Sequence, residues 1–147
     1  MGIVAKLKCE FSTCRNENLL RISLGIIYTW FGILKFLPEQ SPAETLAKDT
    51  LYLLSLALVP AHISYFLLAL LETCIGILLI INVSRKLVLW LATFHIVCTF
   101  APVFIFTSQV FVKPFVPTLT GQYIIKNLVL FAVILVIKGI SKRSALN

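Results

Sequence analysis

The sequence predicts an all-α membrane protein: a four-transmembrane-helix bundle with an amphipathic helix on its outer surface between the first and second spans. Three observations carry this expectation. Of 147 residues, 59% are hydrophobic and only 13% charged, about half the roughly 25% charged share of soluble domains. The mean hydropathy is +0.98. Apolar windows close to the roughly 20 residues that a helix needs to cross a bilayer recur at 19–36, 63–82, 87–106 and 122–137. The last is the shortest, and Lys126 lies inside it.

The net charge is +7, from 13 Lys+Arg against 6 Asp+Glu. A basic balance can signal nucleic acid. Here the basic residues flank apolar runs, and no Lys/Arg block interleaves with aromatics, so the charge reads as membrane topology and no nucleic-acid partner is expected. Lys6, Lys8, Arg15 and Arg21 precede the first span, Arg85 and Lys86 lie between the second and third, and Lys138, Lys142 and Arg143 follow the fourth. The other side has only Lys35, Lys48, Lys113 and Lys126. This excess puts both termini and the middle turn in the cytoplasm, with the protein in the inner membrane and the lipid bilayer as its first partner. The chain divides into a cytoplasmic segment 1–18, a membrane domain 19–138 and a basic cytoplasmic tail 139–147. The first apolar run lacks the small-residue cleavage site of a secretory signal. "MGIVAK" has Lys6 where a myristoylation site needs Ser or Thr.

"NVSRK" is short enough to make the second and third spans a tight antiparallel hairpin. In the first outer connection, "SPAE" reads as a helix start, with Ser41 as N-cap, Pro42 at the first helical position and Glu44 closing a capping box. That helix is expected to run to about residue 59 and stop at Pro60, lying on the outer membrane surface. The alternative is that its apolar end joins the second span, with Pro60 as a kink. The second outer connection, with two prolines, Phe111 and Phe115, reads as an irregular loop, after which Thr118 or Thr120 could cap the last helix.

The candidate chemistry starts from Glu72, an acid inside an apolar run. At mid-bilayer it costs about 2.5–3.5 kcal/mol, so it should face the bundle interior and have a partner or a proton. Counted from a turn centred between Val83 and Ser84, Glu72 and His95 lie equally far along their helices, about 15–17 Å from the turn. Tyr28 falls at about 13–14 Å from the cytoplasmic end of the first span. These three are the candidate intramembrane polar site. One reading is a proton, quinone or ligand site; the other is an interhelical hydrogen bond that holds the bundle together. Lys35 and Lys126, the latter followed by Asn127, are outer-mouth candidates. They would either snorkel to headgroups or form an anion-attracting vestibule above Glu72. Gly32, Gly76 and Gly121 are placed as helix-packing residues.

Cys9 and Cys14 lack a second ligand pair for zinc and sit on the reducing side, so free thiols are expected. Cys74 and Cys98 differ in depth by about 7–8 Å, beyond ordinary disulfide reach. No metal site, P-loop or nucleophile elbow is present in the sequence.

"GIIYTWFGILKF", "SPAE", "LLETCIGILL" and "GQYIIKNLVL", in this order over about residues 19–138, resemble the DoxX-like superfamily of small four-helix membrane proteins (DoxX, DoxD and MauE types, and a YkgB-like branch). Phe31, Gly32 and Lys35 fit its aromatic–Gly-x-x-Lys pattern, Glu72 and Gly76 its Glu-x-x-x-Gly pattern, and Gly121, Lys126 and Asn127 the pattern opening the last span. The resemblance implies an accessory to a membrane redox or stress-response system, with a membrane or periplasmic redox protein as partner and a quinone as possible cofactor. Without paired redox cysteines the chain is not expected to be a stand-alone enzyme; a small-solute, anion or proton carrier and a non-catalytic structural partner are the alternatives.

Overall fold

The computed structural model describes the backbone of residues 2–37, 40–41 and 43–144 and the side chains of 15–37, 40–41 and 43–141. It is mostly helical: α1 (Gly2–Leu34), α2 (Glu44–Leu54), α3 (Ala61–Ile81), α4 (Arg85–Cys98), α5 (Ala101–Ile105), α6 (Thr107–Val110), a two-stranded ribbon of β1 (Phe111–Lys113) and β2 (Val116–Pro117), and α7 (Leu119–Ser144). Three helical stretches of the described residues are long and apolar enough to cross a membrane: Ala61–Ile81, Arg85–Ile105 and Leu119–Ser141. The predicted first span is not among them. It is the C-terminal part of α1, and the buried, charged Glu17 and Arg21 precede its apolar stretch.

The four long helices pack in a ring, α1 on α3, α3 on α4, α4 on α7 and α7 on α1. Leu24 and Tyr28 of α1, Ile75 and Leu79 of α3, Val88, Leu89, Ala92 and Ile96 of α4, and Ile134 and Ile137 of α7 close the core between them. The outward faces are equally apolar, with Trp30, Phe66, Trp90, Phe94 and Val129 exposed. In water so much exposed apolar surface would drive association. Facing hydrocarbon it is the surface a membrane protein needs, with the backbone groups inside each helix satisfied within their own segment.

The α1–α3 contact is a seam of small residues. A Cβ on Gly32 would stand 2.7 Å from the Thr73 amide nitrogen. One on Gly76 would overlap Thr29 and come within 2.7 Å of the Gly25 carbonyl oxygen. Thr29 and Thr73 donate their hydroxyls to the Gly25 and Ala69 carbonyls of their own helices, each at 2.8 Å. The seam is therefore close-packed without orphaned polar groups, as in small-residue helix contacts within membranes. At the hairpin end, Arg21 donates to the Leu79 and Ile80 carbonyls, which the end of α3 leaves without helical partners, and Glu17 pairs with Arg85. The expected boundary between 18 and 19 therefore falls inside one continuous helix whose charged residues join the fold. The boundary at 138–139 likewise falls inside α7.

Several local expectations need correction. The helix after the first span starts at Glu44 with Ala43 as N-cap and no side-chain cap, so Ser41 does not close a capping box; Pro42 lies outside the described residues. It stops at Leu54, well before Pro60. Leu56 and Ala57 take left-handed backbone conformations (φ 53° and 60°), and their amides bond back to the Leu53 and Tyr52 carbonyls at 2.9 Å. This is a Schellman-type stop built without glycine. The connection between the third and last predicted spans, expected as an irregular loop, holds α6 and the ribbon, with Phe115 at φ 64° in the ribbon turn. The third span breaks after Cys98, where Pro102 opens a separate short helix.

Thr118 caps α7: its Oγ1 accepts the Gly121 amide at 3.0 Å. Gly121 lets the ribbon end close on α7, since a Cβ there would overlap the Val110 carbonyl oxygen. Thr118→Ala is expected to lower stability by about 0.5–2 kcal/mol, read as a lower unfolding midpoint in detergent; an unchanged midpoint would count against the cap.

Candidate functional site

The site forms where the small-residue seam meets the α3–α4 hairpin. Because Gly32 lets α1 lie against Thr73, Lys35, one residue past α1, comes within reach of Glu72. Lys35 Nζ donates to Glu72 Oε2 at 2.5 Å, and both side chains are largely buried. The three-residue turn 82–84, with Asn82 and Ser84 both left-handed, folds α4 back along α3. It brings His95 level with Glu72, as the count from the turn requires, and His95 Nε2 stands 2.9 Å from Glu72 Oε1. That approach is an ion-pair distance but is not aligned as a hydrogen bond. On the far side of the ring, Nδ1 is 3.1 Å from the Tyr28 hydroxyl, which is also 3.2 Å from the Ala92 carbonyl oxygen. The two rings meet edge to face.

Lys35, Glu72, His95 and Tyr28 therefore form one continuous string across three helices. Glu72 is 6% exposed and His95 7%. A neutral imidazole here can turn its Nε2–H to the carboxylate and accept from Tyr28 at Nδ1. An imidazolium donates at both nitrogens, and the Tyr28 hydroxyl then donates to the Ala92 carbonyl instead. In either form the ring stands between Tyr28 on one side and Glu72 on the other.

The string is not sealed. It borders a cavity of about 420 Å³ lined from α1, α2, α3, α4 and α7, within the range of about 300–1,000 Å³ typical of ligand pockets. Tyr28, Lys35, Glu72, His95, Lys126 and Asn127 all line it. Lys126 sits with Nζ 4.9 Å from the Tyr123 ring centroid, and Asn127 donates to Thr99 Oγ1 at 3.0 Å. Lys35 thus turns into the bundle to meet Glu72 rather than out to headgroups, whereas Lys126 is exposed at the cavity's edge. Gly32, Gly76 and Gly121 lie at close backbone approaches rather than at the cavity. The cavity occupies the end of the bundle that carries α2. Toward the hairpin end, Leu24, Leu79, Val88, Leu89 and Ile137 fill the interior.

Cys74 and Cys98 are free, and the side chains of Cys9 and Cys14 lie outside the described residues. Among the described residues no group of His, Cys, Asp and Glu could hold a metal ion. Sequence reasoning missed Gly25, Thr29 and Thr73 in the seam and the part α2 plays in walling the cavity. Small residues at a spacing of three or four, Gly25–Thr29–Gly32, were the available signal.

The fold and site are those of an α-helical membrane protein with a buried, ionisable side-chain string opening on a cavity. Compared with family models, curated proteins and solved structures, the chain matches none of them.

Proposed function

We propose that this chain is a four-span inner-membrane protein whose α2-end cavity binds a membrane-borne ligand and couples its binding to a proton on the Lys35–Glu72–His95–Tyr28 string. In this reading it is an accessory to a membrane redox or stress-response system, as its resemblance to the DoxX-like superfamily suggests. Three apolar helices and the ring they close with α1 support α1 as the fourth span. The charge bias between the two ends supports cytoplasmic termini. α2, with Leu46 and Thr50 buried and Tyr52, Leu53 and Leu54 exposed, fits a helix half sunk in the outer interface.

One observation carries the binding role: the buried polar string lines a cavity instead of being packed shut. A purely structural ion pair gains nothing from an adjoining void, because unfilled space costs packing energy. The packed hairpin end favours a binding site over a carrier, since a carrier needs a route from both sides.

A quinone suits this donor set. Lys35, His95 and Tyr28 offer N–H and O–H groups to ring oxygens, and the apolar lining suits a ring and tail. When bound, such a group would supply the two-electron, two-proton chemistry that the chain's own side chains lack. The test is Glu72→Gln, which keeps the volume and one hydrogen-bonding oxygen but removes the charge. In proteoliposomes, addition of a short-tailed benzoquinone or an acyl amphiphile should change the bulk proton count with wild type. It should leave it unchanged with Glu72→Gln, compared at a temperature where this variant, destabilised by the loss of Lys35's ion-pair partner, is still folded. Equal proton signals from both proteins would leave Glu72 as a structural residue only.

A further inference from the structure

The cavity's charge and its open side define a ligand class more closely than its volume does. Inside it, the charges of Lys35 and Glu72 cancel across 2.5 Å. Lys126 has no acid partner among the described residues; its one recorded contact is the Tyr123 ring face. The described lining contains no acid other than Glu72, so the cavity carries a surplus positive charge at its edge. Asn127 and Ser41 add polar groups to the same lining.

The open side is apolar. α2 makes its main contacts with α3 and α5, not with α1 or α7. The lining nevertheless includes Phe31 of α1 (43% exposed) and Leu54 of α2 (50% exposed), together with Leu130 of α7. Phe31 and Leu54 belong to faces that meet hydrocarbon in a spanning bundle, and Leu130, half-buried against the core, continues the apolar lining inward. A ligand entering there has an apolar part that stays among Phe31, Leu54 and Leu130 and a head that reaches Lys126. A volume of about 420 Å³ suits a head group and the first part of one chain.

Resting on the reading of this cavity as a ligand site, we infer that it binds a single-chain anionic amphiphile. The carboxylate or phosphate head pairs with Lys126, and the tail leaves between α2 and the α1–α7 face. A free fatty acid and a single-chain phosphate lipid share this chemistry. Tyr123 holds the ammonium group over the cavity edge by its ring face, an attraction worth about 0.5–2 kcal/mol that strengthens as water is excluded.

The experiment is competition binding on the full chain in nanodiscs, with hexadecanoate, hexadecyl phosphate and uncharged hexadecanol as probes. The anions are expected to bind about tenfold more tightly than the alcohol. Lys126→Gln should remove that preference and Lys126→Arg should retain it. Lys126 is exposed and, among the described residues, its recorded contact is an aromatic face, so both variants should melt like wild type. Preference between the two anions identifies the source of the head. Equal binding of acid and alcohol, or a preference that survives Lys126→Gln, overturns the inference. Glu72→Gln separates the two ideas: anion preference retained with no proton signal upholds this inference, while a proton signal from uncharged ligands alone upholds only the broader reading.

Discussion

Glu72→Ala is expected to destabilise the protein by about 3–5 kcal/mol, the usual cost of removing one partner of a buried ion pair, and adding Lys35→Met should recover much of it. In the single variant Lys35 keeps its charge in a largely buried setting, 13% exposed, with its only recorded partner gone. His95 loses the carboxylate at Nε2 as well. The double variant removes the stranded ammonium and puts an apolar side chain of similar length in its place. The coupling between the two positions then appears as the non-additive part of a double-mutant cycle. Unfolding midpoints of the two single variants and the double variant, in one detergent, measure it. Strictly additive effects would mean that the pair does not contribute as a pair.

Gly76→Ala is the second large effect. The added methyl would meet the Thr29 hydroxyl and also backbone, the Thr29 amide and the Gly25 carbonyl oxygen, so rotating one side chain cannot make room for it. Overpacking costs about 1–3 kcal/mol where side chains can adjust, and here α1 as a whole must move off α3. Lys35 rides on that helix, so the variant should also lengthen the Lys35–Glu72 contact and weaken ligand binding, although Gly76 touches no ligand. Gly139→Ala is the control: nothing lies within 4 Å of its added carbon, and a helix-interior Gly→Ala change gains up to about 1 kcal/mol. Matching unfolding midpoints for the two variants would contradict the close-packed seam.

Much of this arrangement was legible before the fold was known, and the reasons differ by element. The short turn after Asn82 fixes two helices back to back, so depth could be counted along them, and Glu72 and His95 emerged as level. The partner on the other side, Lys35, was not legible. It sits just past the end of α1, where the direction of a long flexible side chain depends on how closely α1 and α3 approach, and that depends on Gly32 and Thr73 meeting face to face. The stop of α2 was hidden for another reason: Leu56 and Ala57 adopt a conformation that sequence rules reserve for glycine or asparagine. Arg21 reads as flanking charge because its partners, the carbonyls at the end of α3, lie in a distant part of the chain, as does Arg85, the partner of Glu17. The cavity itself needed α2 in place, and no spacing in the sequence tells which helices α2 will rest on.

The central claim is that the string around Glu72 takes up or releases a proton when the cavity is filled, rather than only joining α3 to α4. Infrared difference spectra of the protein in lipid, recorded on adding hexadecanoate or a short-tailed benzoquinone, test it most directly. The account predicts carboxyl and imidazole bands that appear with ligand in wild type and vanish in Glu72→Gln. Identical difference spectra from wild type and Glu72→Gln, at ligand concentrations where both bind, would contradict it.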